Sequence, residues 1–183
     1  ISNLNIIGPE TQNAYVSGGP ANPTPDGTTV GLDIDSLLNV TLHNIYVRRC
    51  YKGIRTSRTW PLVAHHCVAN ACYIGIHIDE ASTLGSWYSC STEANAYGLL
   101  IATSTLDAGI GSQTFHSLRV ENTLRAVTID QYESTVYSSQ IRNIAFITPR
   151  FEQIAYDTVR MGKAFVYANP ELDTTDRATN AYL

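Results

Sequence analysis

With 183 residues the chain is long enough for one sizeable core, and its apolar content is ordinary while its charge is sparse. The formal balance of −4, without any Lys/Arg-rich run, argues against a nucleic-acid-binding surface and leaves little to draw the chain to a membrane. No apolar stretch has the length of a bilayer span, and no Gly-rich phosphate loop, Gly-x-Ser-x-Gly elbow or His-Glu-x-x-His pair is present.

Read in chain order, the sequence opens inside a patterned strand (Ile1, Leu4, Ile6), as expected of a piece of a longer polypeptide. A Gly/Pro-rich excursion over 8–27 follows, long enough to be a functional lip, a subunit contact or disorder. The pattern resumes at Gly31–Asp35 and then repeats. The anchors Ile45, Cys67, Cys90 and Leu118 stand 22, 23 and 28 residues apart. Three residues before them come Leu42, Ala64, Trp87 and Phe115, and two after them Val47, Ala69, Thr92 and Val120. Eight after them come Gly53, Gly75, Gly98 and Ala126, then Ile54, Ile76, Leu99 and Val127. Two further on are Thr56, Ile78, Ile101 and Ile129. A weaker unit, Ile141, Ile144, Phe146, Ile154 and Tyr156, closes the series.

Each unit holds short segments with alternating apolar positions, the period of a strand with one face inward. Strands this short bury a face only by stacking on copies of themselves, at ~4.8 Å per coil. The residues just before the anchors, Asn3, Asn44, His66, Ser89, Ser117 and Asn143, suit a tight corner with positive φ. The Gly53/Gly75/Gly98/Ala126 column is read as a second corner. The expected fold is all-β: a right-handed parallel β-helix, a single-stranded solenoid of about six rungs. It covers residues 1–157, with 158–183 a transition or C-terminal tail.

The segments Leu42-His-Asn-Ile-Tyr-Val47 with Tyr51-Lys-Gly-Ile54, and Cys72-Tyr-Ile-Gly-Ile-His-Ile-Asp79, resemble rungs of the pectate-lyase-like β-helix superfamily. Within it they resemble those of bacteriophage tailspikes and capsule depolymerases. The resemblance implies a homotrimer in the virion tail, contacts with other virion tail proteins, and a bacterial surface polysaccharide as target. It names no catalytic residue, because this fold carries many chemistries.

Three outward columns are candidates for that target. Asp79 and Asp130, two rungs apart at ~10 Å with the small Ala102 between, suit an acid and a base working on a water. An outward Asp is also an ordinary turn cap. Glu93 and Glu121, in adjacent rungs at ~5 Å, suit a retaining or proton-sharing pair, or two solvated acids. Ser2, His43, His65, Tyr88, His116 and Arg142 form a strip of rings ending in a guanidinium, suited to stacking on sugars or to simple corner packing. Arg55 and His77, outward in adjacent rungs, would bind an acidic sugar.

The four cysteines fall in two adjacent-rung pairs, Cys67/Cys90 and Cys50/Cys72, and are read as buried free thiols. No metal or other cofactor is expected, since neither these columns nor the histidines converge with a third ligand type. Two readings follow: a depolymerase binding and cutting a polysaccharide, or a non-catalytic receptor-binding or structural β-helix of a virion fibre. A pectin-type lyase is remote, because Ser57 and Ala102 interrupt any calcium-binding Asp column.

Overall fold

A computed structural model of the chain describes residues 1–8, 28–102, 109–130 and 141–161. In chain order the strands are β1 (Ser2–Ile7), β2 (Val30–Asp35), β3 (Leu38–Arg48), β4 (Lys52–Ser57), β5 (Trp60–His65), β6 (Val68–Asn70) and β7 (Ile74–Ile78). Then come β8 (Thr83–Tyr88), β9 (Ser91–Glu93), β10 (Tyr97–Ala102), β11 (Ile110–His116), β12 (Arg119–Asp130), β13 (Ile141–Ile147) and β14 (Arg150–Met161). They form one 14-stranded sheet, every pairing is parallel, and the described residues contain no helix. This is an all-β parallel architecture, consistent with a parallel β-helix.

The strands sort into three faces. Face A runs from the first half of β3 through β5, β8 and β11 to β13. Face B runs from β1 through the second half of β3, β6, β9 and the first half of β12 to β14. Face C runs from β2 through β4, β7 and β10 to the second halves of β12 and β14. The long strands β3, β12 and β14 bend round a corner and take part in two faces. Successive coils are offset by 22 residues (Arg58 to Glu80), 23 (Asn70 to Glu93) and 28 (Tyr97 to Arg125).

The anchor register holds through Leu118. Ile45, Cys67, Cys90 and Leu118 are buried, as are the columns of Leu42, Val47, Ile54 and Thr56. Trp87, Phe115 and Phe146 stack at 5.9 and 5.1 Å between centroids. The first corner is as expected up to Ser117: Asn3, Asn44, His66, Ser89 and Ser117 all have positive φ. All four cysteines are free and buried. The thiol hydrogen bonds that Cys72 and Cys90 donate to Cys50 and Cys67, together with burial, push both upward, so both stay protonated.

Two readings need correction. The glycine column is not a corner. Gly53, Gly75 and Gly98 lie within strands, and a Cβ on Gly75 would stand 2.6 Å from the Gly98 carbonyl oxygen, so close approach of the next coil demands glycine there. The second positive-φ corner is instead Arg49, Ala71, Ala94, Asn122 and Gln153. The last unit is also anchored differently. Ser117 pairs through its hydroxyl with Thr148, 31 residues on, so Ile144 lies beside Gln113 and Phe146 beside Phe115. Asn143 does have positive φ, but it shares a corner with Leu84 and Ser112. The excursion at 9–27 and the tail at 162–183 lie outside the described residues, while β14 runs on to Met161.

Candidate functional site

The histidine strip is real on face A. His43, His65, Tyr88 and His116 are register partners in successive coils. His65 stacks on Tyr88 at 4.9 Å and 12°, and Tyr88 on His116 at 4.6 Å and 11°, while His43 tilts against His65 at 6.1 Å. Each is the last outward residue before a corner, so the coil spacing alone brings the rings into van der Waals contact. This stacking changes their chemistry. Ring faces within the stack are spent on one another, and what points outward is a rail of imidazole nitrogens and one phenol. The strip is therefore built for hydrogen bonds in series more than for stacking on a sugar face. Arg142 is not part of it: Arg142 lies beside Gly111, and Ile147 follows His116 in the ladder.

Beside the rail runs a floor of small and β-branched side chains, Thr41, Val63, Ser86, Thr114 and Ala145, also in register. The opposite margin is the corner where face A begins. There Leu38, Trp60 and Leu84 are 65%, 52% and 51% exposed. Leu38 and Trp60 are register partners, so these side chains form an exposed apolar edge beside the strip.

The carboxylates are elsewhere. Asp79, at the end of β7, is only 1% exposed, so it does not stand in solvent as read from its column. Arg55 donates to its Oδ2 through Nε at 3.2 Å and Nη2 at 3.1 Å, and the Glu80 amide donates to Oδ1 at 2.9 Å. The same guanidinium holds Asp33 at 3.1 Å. Burial pushes Asp79 upward, but the fields of His77 and Arg55 and the Glu80 hydrogen bond outweigh it and hold the carboxyl below its usual range. A carboxylate locked in this way is a structural ion pair on face C. Asp130 lies beside Ala102 along the backbone as expected, but its side chain, like that of Arg142, lies outside the described residues.

His77 is paired with Arg55 in register but is 5% exposed, so it is not presented to a ligand either. Its Nδ1 is buried without a hydrogen-bond partner. Burial, opposed by Asp79, pushes its pKa down to about 4. The folded protein thus refuses a proton that an unfolded histidine accepts near pH 6.5. Stability should rise with pH across this window and fall from about pH 6.5 to about pH 4, by on the order of 2–3 kcal/mol. His77→Gln should flatten that slope in denaturant melts at a series of pH values; an unchanged slope would assign the acid lability to other groups.

On face B, Glu93 and Glu121 are register partners, and Glu152 extends the column by one coil. The Asn70 amide donates to Glu93 at 3.2 Å, Arg119 contacts Glu121, and Arg150 contacts Glu152. A hydrogen bond with Glu121, and then one with Arg150, holds Glu152 below the usual carboxylate range. Sequence reading missed Glu152, although Arg119-Val-Glu121 and Arg150-Phe-Glu152 repeat one another visibly. It also missed a second ladder at the corner of faces B and C. There Tyr51 stacks on Tyr73 at 5.1 Å, Tyr97 follows edge-on at 5.6 Å, and Arg125 donates to the Tyr97 hydroxyl at 2.7 Å. Among the described residues no three His, Cys, Asp or Glu side chains are grouped to hold a metal ion.

No protein-family model matches this chain, and no curated protein or solved structure is detectably similar to it.

Proposed function

We propose that the chain is part of a right-handed β-helix of the tailspike type that binds a bacterial surface polysaccharide along face A. In this reading it assembles as a homotrimer in a phage tail, beside other virion tail proteins. The observation that carries the reading is the stacked rail of His43, His65, Tyr88 and His116 running over successive coils beside a flat floor. A row of polar ring edges with a repeat near 5 Å matches a polymer whose sugar units recur at a similar interval. An extended, repeating ligand suits an extended, repeating surface.

Binding without cleavage is favoured over depolymerisation on this face. The described strands of face A carry no Asp or Glu, so an acid and a base for glycosidic cleavage would have to come from elsewhere. The Glu93/Glu121/Glu152 column on face B is the remaining described set of stacked acids. If cutting occurs there, Glu121→Gln should abolish it and leave binding by face A intact.

Tyr88→Phe is the sharpest test of the rail. It keeps the stack and removes one hydroxyl edge, so melting should be unchanged while affinity for capsule or O-antigen oligosaccharides drops several-fold, by about 1 kcal/mol. Calorimetric titration, with reducing-end release followed in parallel, reads both arms. Equal affinity of variant and parent would remove the rail from the site.

A further inference from the structure

We infer that the polymer bound on face A is uncharged and bears apolar substituents, such as deoxy or acetyl groups, that pack at the Leu38/Trp60/Leu84 corner; this rests on the binding reading above. The first ground is the distribution of charge. The strand segments 38–43, 60–65, 83–88 and 110–116 contain no Asp, Glu, Lys or Arg. The last strand of the face, β13, adds only Arg142. Ion pairs lie off the strands of this face: Arg55 with Asp33 and Asp79 on face C, Arg119 with Glu121 on face B, and Arg58 at the corner between faces C and A, where Asp35 and Glu80 both pair with it.

A polyanion laid along strand segments 38–43, 60–65, 83–88 and 110–116 would lose water from its carboxylates without meeting a fixed cation there, which is costly. The rail itself adds ring edges and a phenol that serve as hydrogen-bonding groups for hydroxyls and amides. The second ground is the exposed corner. Leu38 and Trp60 are register partners, and Leu84 follows in the next coil. A ridge of leucines and an indole along one margin gains from a ligand only where that ligand has apolar surface to bury. Methyl groups of deoxy sugars and of acetyl esters or amides supply it on an otherwise polar chain.

The test is an array of bacterial capsule and O-antigen glycans probed with the full chain at mildly alkaline pH, followed by calorimetric titration of the hits at low and high salt. Uncharged deoxy- or acetyl-bearing glycans should bind, with affinity little altered by salt. De-O-acetylation of an acetylated hit, or Trp60→Ala in the protein, should weaken binding about tenfold with unchanged melting. Polyanionic hits whose affinity falls steeply with salt would overturn the inference while sparing the glycan reading. So would a Trp60→Ala variant that binds as its parent does, or one that changes only the sedimentation of the protein, which would make the corner a contact between copies. An array with no hits would sink both.

Discussion

Arg55→Met should destabilise the protein by about 3 kcal/mol at neutral pH, because it takes the guanidinium from the buried Asp79 carboxylate. The methionine preserves most of the apolar stem of Arg55, so packing loss is small and the penalty is electrostatic. Its pH dependence identifies it. In the parent, Asp79 is held low, so its contribution is present above pH 3.8 and is lost as pH falls below it. In the variant, burial acts without the guanidinium and the carboxyl shifts upward, so the folded state takes up a proton and the deficit shrinks as pH is lowered. Adding Asp79→Leu should recover most of the loss, since two apolar groups replace a broken pair. Urea melts of the single and double variants at two pH values measure all of this. A single-variant loss under about 0.5 kcal/mol would mean a well-solvated pair, and would return Asp79 to the set of working acids.

That outcome matters because Asp79 departs furthest from what its strand pattern implies. Alternation correctly puts Ile78 inside, and outwardness was inferred for its neighbour. Period-two patterning says which side of a strand a side chain leaves from, but not what then lies over it. On face C the neighbouring coil's Arg55 does so, and it came from a column judged on its own. His77 illustrates the same limit: it alternates outward between Ile76 and Ile78 and is nevertheless buried.

What was legible is the stacking. Ile45, Cys67, Cys90 and Leu118 needed only their spacing to be placed on top of one another, because stacked coils convert sequence offset directly into contact. The histidine and tyrosine rail followed from the same offset. Register was lost at the last coil, where the 31-residue step carries an insertion and Ile144 offered a plausible apolar anchor that the structure rejects. A polar signal would have served better there, since the Arg-x-Glu repeat that sets Glu121 over Glu152 has no apolar imitator. The glycine column misled for a different reason. Glycine serves turns and close backbone contacts alike, and only coordinates show that Gly75 has the Gly98 carbonyl against it.

Trp87→Ala should be the most damaging single change in the core, at about 4 kcal/mol, and should also weaken ligand binding without Trp87 touching a ligand. Trp87 is buried, stacks on Phe115, and donates from Nε1 to Gln113 Oε1 at 3.1 Å. Gln113 is itself buried and donates to the Ser82 carbonyl at 3.2 Å. Truncation thus opens a cavity and also leaves a buried amide oxygen without its donor. Trp87→Phe separates the two: it keeps most of the ring volume, loses the N–H, and should cost about 1–2 kcal/mol. Because each coil is held by its neighbours, the damage should spread to the coils above and below, with a broadened transition and a lower denaturant slope. Tyr88 follows Trp87 on the same strand, and its ring sits between those of His65 and His116. A coil loosened at Trp87 loses the spacing of the rail, so Trp87→Ala should bind glycan more weakly than its folded fraction accounts for. A variant that folds less but binds in strict proportion to its folded fraction would show that the rail keeps its spacing without the core beneath it.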